Sequence, residues 1–202
     1  MYGPQSRGSE NGSTVRELSF VRGRTAGARV AVLGLLLVGC TQGAVPEGWA
    51  TLDANGLRIA HPEDWQPRAE AERVFPDAQI ELVGPAEGFA LAPLLVAYAE
   101  EGALTDVDTR QTLINQRLQA ELDADLVDAR ELDVPGTTAG RALEFTFDAE
   151  TPEGGESLPS RQFEVILTAD DGRTWDLVLG GPAAVLRQSV ADGLLDSLAV
   201  DG

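Results

Sequence analysis

The sequence contains no lysine at all: its 15 basic residues are all arginine. It has a single cysteine, Cys40, and a single histidine, His61. One cysteine excludes an internal disulfide and any cysteine-based zinc site. One histidine leaves a serine hydrolase only His61 to build on, and the missing lysine removes the Ser–Lys alternative. Neither a Gly-x-Ser-x-Gly elbow nor a His-Glu-x-x-His zinc motif is present. There is also no apolar run near the roughly 20 residues that a spanning helix requires. The arginine-only basicity, with abundant Ala, Gly, Asp and Val, fits a high-GC bacterial genome.

What is present is acid, unevenly placed. Ahead of Cys40 stand Arg7, Arg16, Arg22, Arg24 and Arg29 against Glu10 and Glu17, a balance of +3. The whole chain carries −18, so the part from Cys40 onward carries −21, with 31 acidic residues against 10 arginines. Such a domain is repelled by nucleic-acid phosphates and by anionic headgroups, which argues against a nucleic-acid partner. Acidity of this kind ordinarily serves as a solvated, aggregation-resistant surface. At 43% hydrophobic residues the chain can still bury a core, and 202 residues give room for one domain plus a targeting segment.

Val30 to Val38 reads VAVLGLLLV, behind Arg22, Arg24 and Arg29. A basic region followed by a short apolar run has the form of a secretory signal. Leu37-Val38-Gly39-Cys40 resembles a lipobox. That resemblance implies a diacylglycerol on Cys40, cleavage between Gly39 and Cys40, and a mature chain anchored on the outer face of the cytoplasmic membrane. Each buried methylene contributes about 0.8 kcal/mol, and two acyl chains hold where one is marginal. The alternative for Cys40 is a buried core cysteine at the end of an apolar strand. Residues 1–39 are thus read as signal, with a start at Val15 or Val21 leaving a more ordinary one. Residues 40–47 are read as the lipidated cysteine and its tether, and 48–202 as the globular domain. The tether, Thr41 to Glu47, spans at most about 25 Å.

Within the domain, Trp49–Asp53 and Leu57–His61 flank Ala54-Asn55-Gly56, a hairpin signal. Alternation returns at Gln79–Val83 and Leu94–Ala99. Thr105-Asp106-Val107-Asp108 offers N-caps for a helix through about Leu122, with Leu113, Ile114, Leu118 and Leu122 on its apolar face. Four strands follow: Leu126–Val134, Arg141–Asp148, Gln162–Thr168 and Trp175–Leu179, the last two joined by Asp170-Asp171-Gly172. Pro182 suits the first turn of a closing helix carrying Leu186, Val190, Leu194 and Leu198. This order predicts an α+β fold, an antiparallel sheet with flanking helices. Whether the helices share one face of the sheet is left open by periodicity.

His61-Pro62-Glu63-Asp64-Trp65 after a hairpin is similar to the element that opens PsbP-like domains. Gly140 to Phe145 resembles their mid-domain strand, and Leu195 to Val200 the end of their last helix. Residues 48–200 also resemble the actinobacterial secreted lipoproteins of the LpqN type. The resemblance implies an α/β/α sandwich and an accessory or binding role rather than an enzyme. It implies no metal here, because the calcium or manganese ligands of photosynthetic members have no counterpart in this chain.

Chemistry is sparse in the remaining residues. His61 reads as a strand-end histidine packed near Trp65 rather than a general base or metal ligand. Asp106 with Asp108, Asp123 with Asp125, and Asp170 with Asp171 read as helix caps and turns before they read as calcium ligands or an acid/base pair. Trp49, Trp65 and Trp175 read as core and rim aromatics. Gly154-Gly155 and Gly180-Gly181 lack phosphate-binding neighbours. No cofactor is expected, and the only site residue assigned is Cys40, for lipidation. The functional expectation is a membrane-anchored, non-catalytic binding protein with an envelope protein partner. The alternative is a small apolar-ligand carrier or sensor with a hollow between sheet and helix, and a carboxylate hydrolase ranks below both.

Overall fold

The computed structural model describes residues 45–102, 106–151 and 157–201. Its first element pair follows directly from local backbone chemistry. Asn55 and Gly56 both adopt positive φ, 54° and 87°, the conformation of a two-residue turn that matches strand twist. β1 (Trp49–Ala54) therefore folds back on β2 (Leu57–Pro62), with Ala54 opposite Leu57 and Trp49 opposite Pro62. This hairpin does not join the main sheet. Its third strand is the last of the chain, β10 (Ala199–Val200), paired antiparallel to Leu57 and Arg58.

The main sheet has seven strands in the order β3-β4-β5-β9-β8-β7-β6, antiparallel throughout. They are β3 (Gln66–Pro67), β4 (Ile80–Val83), β5 (Leu94–Glu100), β6 (Asp125–Glu131), β7 (Thr137–Ala149), β8 (Leu158–Ala169) and β9 (Thr174–Pro182). The α+β expectation holds. The order reflects a meander of three hairpins, β6–β7–β8–β9, laid against β5, so that strands far apart in sequence meet at the middle of the sheet.

Register decides which residues share a face. Phe163 stands opposite Leu179, Val165 opposite Leu177 and Leu167 opposite Trp175. These side chains form the larger core together with Leu57, Ile59, Leu186 and Leu194. That core is closed by the β1-β2-β10 sheet and by α2 (Gln188–Asp196). Trp175 is fully buried in it, Trp65 almost so, and Trp49 lies over Gly193 of α2. A Cβ on Gly84 would meet the Trp65 indole at 2.7 Å, so this ring does plug one end of the core. All three tryptophans take the packing roles expected of them.

The opposite face of the sheet is covered by α1 (Val107–Leu122). Asp106 is its N-cap, its carboxylate accepting from Thr109 N at 2.9 Å. Asp123 ends it in the left-handed conformation. Leu118 packs with Ala124, Leu143 and Phe145 into a smaller cluster, with Ile114 and Phe147 at its edge. The two helices thus lie on opposite faces of the main sheet, which settles what periodicity left open.

Two expectations need correction. Pro182 does not open the closing helix: it is the last residue of β9, paired with Ser160. Its carbonyl accepts from Val185 and Leu186 N, making a turn that buries Leu186 before α2 begins. A proline is tolerated at a strand end, where no ladder N–H is needed. Second, the helix stops at Asp196 and Ala199–Val200 form a strand instead of its continuation. Ser197 makes that break possible, its Oγ accepting from Ala60 N at 2.8 Å.

Candidate functional site

α1 covers its face of the sheet incompletely. Leu113 is 56% exposed and Leu122 39%, although both belong to the apolar side that the sequence assigns to this helix. The reason lies in the strands beneath. β8 presents Gln162 and Glu164 toward α1, and β9 presents Asp176, Val178 and Gly180. Small and polar residues at the middle of that face leave room where a packed core would have filled it.

The room is a groove of two connected chambers. The first, about 550 Å³, is walled mainly by Leu94, Val96, Leu118, Leu122, Phe147 and Val178. The second, about 540 Å³, is lined by Glu100, Arg110, Ile114 and Asp176 among others. Tyr98, Arg117, Glu164 and Val178 border both. Volumes of this size suit small ligands.

An ion pair stands at the boundary. Arg117 Nη2 donates to Glu164 Oε1 at 2.7 Å, and Gln162 Nε2 donates to the same oxygen at 2.7 Å. The Glu164 side chain is 4% exposed while that of Arg117 is 49% exposed. Burial pushes the Glu164 carboxyl above its usual range, and neighbouring Asp176 adds to the push. Arg117 and Gln162 oppose it without overcoming it, because a half-solvated guanidinium gives only a screened attraction. Asp176 is also raised, first by burial and then by Glu100, against Arg110. Arg110 bridges Glu100 at 2.8 Å and Asp176 at 2.9 Å. Tyr98 is raised by burial and by Glu81, Asp77 and Glu164. The groove therefore holds two desolvated carboxyls, Glu164 and Asp176, among an excess of acid.

A loop leads to its rim. Glu81 on β4 is 1% exposed; it accepts from Arg68 Nη1 at 2.7 Å and from the backbone N of Val74 and Phe75 at 3.0 and 3.2 Å. This buried carboxylate fixes the segment that sets Phe75 beside the first chamber.

The raised carboxyls have a consequence for stability. A raised pKa means that the folded state holds the proton more tightly than the unfolded chain. The cost of ionising Glu164 is then present at neutral pH and is relieved as pH falls through its folded value toward the ordinary carboxylate range. Glu164→Gln should be at least as stable as the parent at pH 7, and its advantage should shrink by pH 5. Urea denaturation at the two pH values measures this. A variant weaker by more than about 1 kcal/mol at pH 7 would mean that the ion pair is net stabilising.

The residues singled out by sequence lie elsewhere. His61 is 5% exposed on β2, with Nδ1 at 2.8 Å from the Pro62 carbonyl, and takes no part in the groove. Asp106 caps α1, Asp108 pairs with Arg141 at 2.8 Å and Asp171 with Arg173 at 2.6 Å. Asp123 and Asp125 are exposed at the α1–β6 junction and Asp170 at the β8–β9 turn. The structure does not bring those pairs to the groove, and caps and turns account for them. Cys40 lies outside the described residues. Among the described residues, no group of three or more His, Cys, Asp or Glu is arranged to hold a metal ion, and no helix is long and apolar enough to cross a membrane.

No family model and no curated protein matches the chain. Solved structures do. A crystal structure from Bacteroides thetaiotaomicron has 12% identity over 72% of this chain and 45% of its own, with a TM-score of 0.41, too low to carry an argument. The crystal structure of LpqN, described as involved in cell envelope biogenesis of Mycobacterium tuberculosis, has a TM-score of 0.54 at 13% identity, covering 76% of this chain and 91% of LpqN. The fold of this chain is LpqN-like.

Proposed function

We propose that this chain is an exported accessory protein of the cell envelope, held to the membrane by lipid on Cys40, which binds its target in the groove beneath α1 and does not catalyse a reaction. The groove is the observation that carries the reading: a hollow large enough for a ligand, between a helix and the sheet it covers only in part. Its most buried carboxylates each have an arginine partner, Glu164 in Arg117 and Asp176 in Arg110, which suits a binding surface better than a free nucleophile and base. The signal-like segment ending in Leu37-Val38-Gly39-Cys40 supports export and anchoring, and the cell-envelope role described for LpqN agrees with such a location.

The apolar walls of the first chamber favour a small apolar or amphiphilic ligand, the carrier reading, over a protein segment. A photoreactive amino acid at Leu122, on the groove rim, tests the proposal in native membranes against the same group at exposed Ser189 on α2. Adducts from position 122 and none from 189 are expected, and their mass separates small ligand from protein. Equal adducts from both positions would remove the groove as the working surface.

A further inference from the structure

Charge sets the class of molecule that the groove accepts. Among the described residues, five carboxylates line it, Asp77, Glu100, Glu121, Glu164 and Asp176, against Arg110 and Arg117. Both guanidiniums are engaged, Arg110 by Glu100 and Asp176 and Arg117 by Glu164. The acidic excess is therefore not matched from within. Among the described residues, Arg117 and Gln162 both donate to one oxygen of Glu164, Oε1, so Oε2 of this groove-lining carboxylate is open to water or to a donor in the groove. Tyr98 borders the same place, and aromatic rings attract cations to their faces. Immediately beyond lies the apolar chamber formed by Leu94, Val96, Leu118, Leu122, Phe147 and Val178.

We infer that the occupant of the groove is an amphiphile with a cationic head, a primary amine or quaternary ammonium, seated between Glu164, Asp176 and Tyr98, with its hydrocarbon tail along the apolar chamber. This rests on the reading of the groove as the binding site and specifies what enters it. An anionic head would face an uncompensated acidic surface beside the desolvated carboxyls of Glu164 and Asp176, where like charges repel most strongly. A neutral head would gain from the tail alone.

The test uses the full chain in its native membrane and three photoreactive probes that share one saturated, diazirine-bearing tail. Their heads are trimethylammonium, a neutral polyol and sulfate. Labelling is read by mass spectrometry on peptides of β5 and α1, and normalised to α2 peptides so that general membrane partitioning cancels. The trimethylammonium probe should label the groove roughly tenfold more than the sulfate probe, the factor equivalent to about 1.4 kcal/mol. Glu164→Gln and Asp176→Asn should each bring that ratio below about threefold. Equal or greater labelling by the neutral or sulfate probe, or a preference untouched in both variants, would overturn the cationic head and leave the groove as a binding site. No groove labelling by any probe would remove the binding site and this inference together.

Discussion

A Cys40→Ser variant should leave the membrane fraction and lose all incorporation of labelled palmitate, the largest change any single substitution in this chain should produce. Serine is nearly isosteric with cysteine but cannot form the thioether. The apolar run upstream, Val30 to Val38, falls far short of the roughly 20 residues needed to span a bilayer, so no substitute anchor of that kind lies next to it. Retention through acyl chains rests on about 0.8 kcal/mol per buried methylene, enough for stable anchoring with two chains and marginal with one. Losing both therefore moves the protein from membrane-bound to free. The part from Cys40 onward carries −21 and has no electrostatic reason to stay on an anionic surface. Fractionation with palmitate labelling checks this directly. A variant that fractionates and labels like its parent would end the lipid-anchor proposal.

The second large effect belongs to the fold. Gly136→Ala should lower stability by about 3 kcal/mol or more, through two causes acting at one position. Gly136 has φ of +81°, a conformation that costs an L residue roughly 1–2 kcal/mol. A Cβ there would also lie 1.7 Å from the Val200 carbonyl oxygen, which is backbone and cannot swing away. The site is a junction. Val200 N donates to Pro135 O at 2.8 Å, and Asp170 N donates to Gly136 O at 3.0 Å. Making room for the methyl would therefore pull β10 from β2 and loosen the β8–β9 turn at once. Urea midpoints of the two proteins measure the loss. A shift smaller than about 0.5 kcal/mol would show that β10 and its neighbours yield without cost.

These two residues also mark what sequence makes legible. The proposal for Cys40 rests on features that are local: charge, apolar run and a lipobox-like stretch are contiguous. The same holds for the Asn55-Gly56 turn, the Asp106 cap and the turn at Asp170-Asp171-Gly172, each a short-range device that fixes its own backbone. Alternation in β8 correctly groups Phe163, Val165 and Leu167 on one face. It cannot tell that the other face, with Gln162 and Glu164, is covered as well, since a period of two assigns faces without saying what lies above them. That is why the sequence assigns no residues to the groove, although a hollow between sheet and helix is its alternative reading. Tyr98, Arg110, Arg117, Glu164 and Asp176 come from β5, α1, β8 and β9 and meet only through sheet order. A charged residue on an amphipathic strand ordinarily reads as solvent-facing. The one available hint was Glu164 between Phe163 and Val165, in a strand whose next residue on its own face is the buried Ile166.

The role of Pro182 is ambiguous in the sequence for a related reason. Proline suits both a helix start and a strand end, and what decides between them is its pairing with Ser160, 22 positions upstream. Leu113 and Leu122 were misplaced because helical periodicity defines a stripe without its partner. The stripe of α1 is wider than the part of the sheet that is filled beneath it, and the surplus became the rim of the groove.

Hydrogen exchange on the full chain, with and without a mild-detergent extract of its own envelope, tests most directly whether the groove is where this protein works. The account predicts slowed exchange in α1 and in the strands β5, β8 and β9 when the extract is present, with α2 and β1–β2 unchanged. Protection confined to the α2 face, or to the exposed edge strand β6, would contradict it.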